Sequence, residues 1–251
     1  MKPTFTLHAP ETGTDYVIFV SAPDPSSTPG QWPVIAFMDG DDQFPHAVKA
    51  YQKQREANLV QPLLLVGVGY GASYSKPLNR RGRDYTPTPH SDEPTSGGAA
   101  AFLKFLQVTL WPELERRYPV HHEVRGIGGH SLGSLLVLYA LWQERPFFTH
   151  YLASAPSIWW DDRSILRLAS DRYARDPNLK ATLFLSVGES DTHSMTGDLS
   201  LLEDQLHEQP FDGLRVTTRR FAAKNHFNVL PDAFRTGLVT LFGTQPPPFE
   251  R

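Results

Sequence analysis

Val124-Arg125-Gly126-Ile127-Gly128-Gly129-His130-Ser131-Leu132-Gly133, with the apolar run Leu132–Trp142 behind it, is the stretch that decides the fold. Its first half is a β-branched run thinned by glycine and reads as a strand. Its second half is apolar enough for a buried helix. The joint between them spells G-x-S-x-G, from Gly129 to Gly133. A serine on so sharp a strand-to-helix turn is held in a strained backbone that pushes its hydroxyl out at the top of a sheet. The two glycines are required because a Cβ beside the turn would collide with strand or helix. Ser131 is therefore the candidate nucleophile. A serine hydroxyl is weak at neutral pH and needs a base within hydrogen-bond reach.

Downstream, Ala181–Val187 reads as a buried strand that runs out into Gly188-Glu189-Ser190-Asp191. Leu214–Phe221 reads as a more exposed strand ending before Ala222-Ala223-Lys224-Asn225-His226. Serine, acid and histidine thus stand in the chain order of an α/β-hydrolase triad, each where a strand ends. Among ten histidines, His226 alone follows the last strand at its C-terminal end and is the expected base. His130, beside the nucleophile, is expected to point away on the elbow. The acid must accept the proton of the histidine's other nitrogen. Asp191 is the first choice through its Gly-x-x-Asp spacing, Glu189 the second, and a Ser-His pair without an essential acid remains a third. The oxyanion hole needs two backbone N–H donors: Leu132, just after the nucleophile, and Asp41, in the Asp39-Gly40-Asp41 turn behind the apolar run Val34–Met38.

The rest of the chain supplies the frame for these residues. Antiparallel strands are expected near Phe5–His8 and Tyr16–Val20, then strands at Val34–Met38, Leu63–Val68, Glu123–Gly128 and His150–Ser154. Helices are expected near Pro45–Ala57, Gly98–Tyr118, Leu132–Gln143, Asp162–Ala174, Gly197–His207 and Pro231–Phe242. This alternation predicts an α/β fold in one domain over 1–251: a mostly parallel sheet with an antiparallel N-terminal edge and helices on both faces. Tyr70–Gly97 is a long Gly/Pro/Ser/Arg segment without periodicity, expected as a loop near the site that is either functional or disordered. The tail 245–251 is expected to fray.

At 251 residues with a net charge of −3, the chain has length for a sizeable core and no charge bias toward nucleic acid or a membrane surface. It has no cysteine, which excludes disulfides and thiolate metal sites. No zinc-like His/Asp/Glu spacing occurs, so neither metal nor other cofactor is expected. No signal-peptide pattern and no bilayer-length apolar run is present, and the expected location is cytoplasmic.

Asp39-Gly40-Asp41, Arg81-Gly82-Arg83-Asp84-Tyr85-Thr86-Pro87, the Ser131 pentapeptide, Ala155-Pro156-Ser157-Ile158-Trp159-Trp160 and Asn225-His226 occur in one order along the chain. In this the sequence resembles the putative-esterase (esterase D-like) α/β hydrolases, most of all the branch of the enterochelin and bacillibactin trilactone esterases. Ser134 and Ala155 depart from that branch, which usually has glycine and serine there. The resemblance implies a serine carboxylic-ester hydrolase with Ser131, His226 and Asp191 as triad and Asp41 and Leu132 as oxyanion donors. It implies a small-molecule ester, of siderophore trilactone or related aryl type, as substrate. Trp159 and Trp160 follow a strand end, one expected in the core and the other free to face an aryl group. Arg80, Arg81 and Arg83 either face an anionic substrate or pair with Asp84 or Asp92 to pin the long loop. Two other functions stay open on the same scaffold: an acyltransferase, and a binding module without catalysis.

Overall fold

The computed structural model describes residues 1–244, so the expected frayed tail lies outside the described residues. Eight strands form one sheet: β1 (Phe5–Ala9), β2 (Thr14–Ser21), β3 (Trp32–Phe37), β4 (Leu64–Gly69), β5 (Val120–His130), β6 (His150–Ser154), β7 (Asn178–Gly188) and β8 (Asp212–Phe221). Their order across the sheet is β1-β2-β4-β3-β5-β6-β7-β8. β1 and β2 run antiparallel at the edge, and every pairing from β4 through β8 is parallel. The α/β-hydrolase frame expected from the alternation is the one observed.

Helices cover both faces because the inner strands are apolar on both sides. Along β3, Val34, Ala36 and the following Met38 enter one core while Ile35 and Phe37 enter the other. This is the two-residue period of a strand buried from above and below. The second core is closed by α1 (Phe44–Glu56) and α8 (Leu230–Phe242), with Phe44, Phe234 and Phe242 packed on Ile35, Phe37 and Phe184. The first core is closed largely by α3 (Ala99–Phe105), α5 (Leu132–Leu141), α6 (Trp160–Arg175) and α7 (His193–Glu208).

Three details differ from the sequence expectation. The helix expected over Gly98–Tyr118 is α3, a π turn at Leu106–Leu110, and α4 (Trp111–Arg117). Pro112 has no N–H to offer the carbonyl four residues back, and the backbone passes it by slipping register. The helix expected from Gly197 begins a turn earlier at His193, after an extended Thr192. The long loop contains a helical turn, α2 (Arg81–Asp84), whose pairings are described below. Among the described residues, no helix is long and apolar enough to cross a membrane.

Candidate active site

The elbow between β5 and α5 has the expected geometry. Ser131 sits at φ 60°, ψ −124°, a conformation that costs a non-glycine residue about 1–3 kcal/mol. Surrounding hydrogen bonds over-determine it. Ser131 N–H donates to Ser154 C=O at 3.0 Å, and Ser131 C=O accepts from the N–H groups of Ser134, Leu135 and Ser157. A Cβ on Gly129 would stand 2.5 Å from the backbone of Gly133, so that glycine is obligatory. Ser134, where the resembling branch has glycine, is accommodated through its hydroxyl, which lies 2.7 Å from both Gly129 C=O and Ser154 C=O.

The base and the acid come from neighbouring strand ends. His226 Nδ1 lies 3.0 Å from Asp191 Oδ2, and the Asp191 side chain is buried. Asp191 Oδ1 accepts the Thr192 N–H at 2.7 Å, which fixes the carboxylate plane. Glu189 on the same loop is exposed. The two loops are bound together: Ser190 N–H donates to Lys224 C=O, and a Cβ on Gly188 would overlap that same carbonyl. The Ser131 hydroxyl is not hydrogen-bonded to His226. Its partner is the hydroxyl of buried Ser157, 3.4 Å away.

His130 does not point away from the site. Its buried ring lies 4.6 Å from the His226 ring, centroid to centroid, and its Nδ1 is 3.1 Å from Ser154 Oγ. The reason is the period of β5. A Cβ at Gly126 would meet Phe242, and one at Gly128 would meet Phe37. Residue 130 therefore faces the same side, the side covered by α8, and His226 lies on the turn leading into α8. Burial, together with the nearby His226 and Arg81, lowers the His130 pKa to about 3, so the ring under His226 is neutral.

The turn after β3 is held just as closely. Asp39 is at φ 54° and buried. Arg81 grips its carboxylate in a fork, Nε to Oδ1 at 2.9 Å and Nη2 to Oδ2 at 3.1 Å. Tyr85 Oη accepts the Asp39 N–H at 3.0 Å, and Gln43 Nε2 donates to Oδ2. Burial pushes the Asp39 carboxyl up and Arg81 pulls it back, while Asp39 keeps the guanidinium charged against its own burial. Asp41 is tied to the end of β4 by Tyr70 N–H, 2.6 Å from Oδ2. Among the described residues, neither the Asp41 N–H nor the Leu132 N–H has an acceptor.

Of the three arginines, Arg81 is engaged with Asp39. Arg83 is engaged with Asp84, Nε to Oδ1 at 2.7 Å. Asp84 is itself buried and accepts the hydroxyls of Tyr16 and Tyr70. Arg80 is exposed, with no side-chain partner among the described residues. Trp160 is buried and donates toward Thr88, while Trp159 is 44% exposed.

A model of the Putative esterase family matches residues 9–227. The chain belongs to that family. It is a carboxylic ester hydrolase, and the resemblance to the trilactone-esterase branch holds. Ferri-bacillibactin esterase BesA of Bacillus subtilis (strain 168) is 32% identical over 236 residues, 86% of this chain and 81% of that one. The crystal structure of the BES protein from Bacillus cereus superposes with a TM-score of 0.84 at 27% identity, over 94% of this chain and 92% of the other. Siderophore hydrolase EstB from Aspergillus nidulans gives a TM-score of 0.83 at 25% identity, over 97% and 95%.

Within this esterase, sequence reasoning missed the parts played by His130, Ser157 and the Arg81–Asp39 pair. The two-residue period of β5 puts His130 on the face of Gly126 and Gly128, but not against His226. Ser157 lies inside the Pro-Ser-x-Trp-Trp block, where nothing local marks it as a partner for the Ser131 hydroxyl. The pairing of Arg81 with a residue 42 positions earlier has no local signature.

Proposed function

We propose that this esterase cleaves siderophore-type trilactones or related aryl esters through an acyl-enzyme on Ser131. The observation that carries the reading is the His226–Asp191 pair, set at 3.0 Å beside a strained serine elbow. Asp191 holds Nδ1 of His226, leaving Nε2 to take the Ser131 proton as Oγ attacks the ester carbonyl. Rotation about χ1 moves the Ser131 hydroxyl from Ser157 toward His226, a tightening expected of a substrate-free site. The N–H groups of Asp41, in the turn after β3, and Leu132, at the start of α5, have no acceptor among the described residues and receive the developing oxyanion. The carbon–oxygen bond to the alcohol breaks, and the departing oxygen takes the proton from His226. Water, deprotonated in turn by His226, then releases the acid and restores Ser131.

The substrate class rests on relatives named as siderophore esterases and on the surface near the site. Exposed Trp159 offers a flat face two residues beyond Ser157, and Arg80 offers a charge free to meet an anion. Arg81 and Arg83 contribute less to such an attraction, because each is already paired with a buried carboxylate. The test is a panel of a ferric catecholate trilactone, a neutral nitrophenyl ester and a long-chain ester, run with wild type and Ser131→Ala. Trilactone turnover and fluorophosphonate labelling should both vanish in the variant. Residual kcat above about a hundredth of wild type refutes the nucleophile, since its loss removes the covalent route. Absence of trilactone turnover in the wild type refutes the substrate class.

A further inference from the structure

Phe227 is the most exposed large hydrophobic side chain among the described residues, at 87%, and it follows the catalytic-base candidate directly. Apolar side chains of this size normally gain by burial, so a fully presented phenylalanine calls for a reason. Looseness of the backbone is not that reason. Asn225 Oδ1 accepts the N–H groups of Phe227 at 3.0 Å and Asn228 at 3.1 Å, and Asn228 Oδ1 accepts the Asn225 N–H at 2.7 Å. Val229 N–H closes the turn on Asn225 C=O, and Lys224 Nζ is paired with Asp232. The turn is fixed, and it holds the ring out.

Its position beside the base says what covers it. The Phe227 ring stands perpendicular to the His226 ring, centroids 5.7 Å apart. One flank of the imidazole is taken by His130, and Nδ1 is taken by Asp191. What remains of His226 is its other face and the Nε2 edge, which hands its proton to the departing alcohol. A side chain in edge contact with that ring borders the space where the alcohol half of the ester lies, not the acyl half. Resting on the acyl-enzyme reading above, we infer that Phe227 is the wall of a leaving-group subsite. It selects esters whose alcohol portion carries an aromatic or large apolar group. Covering it removes apolar surface from water and adds an aromatic contact.

The experiment uses three esters with the full-length protein: benzyl butyrate and ethyl butyrate, which share one acyl group, and ethyl phenylacetate, which carries the aromatic ring on the acyl side. kcat/KM is measured for wild type, Phe227→Leu and Phe227→Ala. The benzyl-to-ethyl ratio for the butyrates should fall about tenfold in Phe227→Ala, with Phe227→Leu between. The ratio of ethyl phenylacetate to ethyl butyrate should stay within about twofold. Hydrolysis of the preformed butyryl-enzyme should be insensitive to the substitution, because the alcohol has already left. A benzyl-to-ethyl ratio that does not move overturns the proposal. So does an equal fall in both ratios, which makes Phe227 a general aromatic contact. Sedimentation showing a wild-type dimer that Phe227→Ala dissolves also overturns it and assigns the ring to self-association. Wild-type protein that cleaves none of the three esters overturns this proposal, while the acyl-enzyme reading falls only if Ser131 also takes no fluorophosphonate label.

Discussion

Arg81→Gln should damage both stability and catalysis, and the stability loss should depend on pH. In the wild type, Asp39 is buried and held by two charge-assisted hydrogen bonds from Arg81, at 2.9 and 3.1 Å. Removing the guanidinium leaves the carboxylate two courses. Staying charged and unpaired in the interior costs about 3–5 kcal/mol. Taking a proton costs about 1.4 kcal/mol for each pH unit above the unfolded value of about 3.9, hence about 4 kcal/mol at pH 7 and about 1.5 at pH 5. The variant follows the lower course, and because burial already raises Asp39 in the wild type, the loss relative to wild type should be at most about 3–4 kcal/mol at pH 7 and at most about 1.5 at pH 5. The sign follows from burial. Asp39 in the variant has a folded-state pKa raised above its unfolded one, so its stability is intact in acid and is lost as pH rises. In the wild type Arg81 offsets part of that rise. Urea unfolding at the two pH values measures the difference. Because Asp39 anchors the turn that carries the Asp41 N–H, kcat should also fall, on the order of 10²-fold for one misplaced oxyanion donor. Arg81→Lys keeps a charge but not the fork and should fall between. An equal stability loss at both pH values, or a loss below about 1 kcal/mol at pH 7, refutes the reasoning.

Asp191→Asn should lower kcat by on the order of 10³–10⁴, because the tautomer of His226 is no longer fixed; Glu189→Gln, on an exposed side chain, should leave it within about twofold, and steady-state kinetics decides between them. His130→Ala removes the ring beneath His226 and should cost about 2–3 kcal/mol of stability and about tenfold in kcat with little change in KM, while Ser131 labelling survives. Raising salt from low to physiological strength should reduce kcat/KM for an anionic trilactone but not for a neutral nitrophenyl ester, since an exposed charge is screened beyond about 8–10 Å. Arg80→Gln should remove most of that salt dependence.

Local chemistry along the chain determined a large part of this protein. The continuous apolar run Val34–Met38, the glycines flanking Ser131 and the helical runs between strands depend on residues close in sequence. They yielded the mostly parallel sheet, its antiparallel edge and the serine elbow. The order of serine, acid and histidine followed because each sits where an apolar run ends. The choice between Asp191 and Glu189 was a different matter. Two residues apart on one loop, they differ in direction, and only the docking of that loop on Lys224 buries one carboxylate against His226 and leaves the other in water. The arginines were equally undecided by sequence. Arg81 and Arg83 were spent on Asp39 and Asp84 by burial that only the packed long loop creates. His130 stands between these cases: its face of β5 was legible from period two, but its contact with His226 required α8 to close over that face. Spacing along a chain fixes which residue types arrive at the end of a sheet. Which charges are dehydrated together, and so which can act on one another, is set by distant segments packing against each other, and that was decided in the tertiary structure.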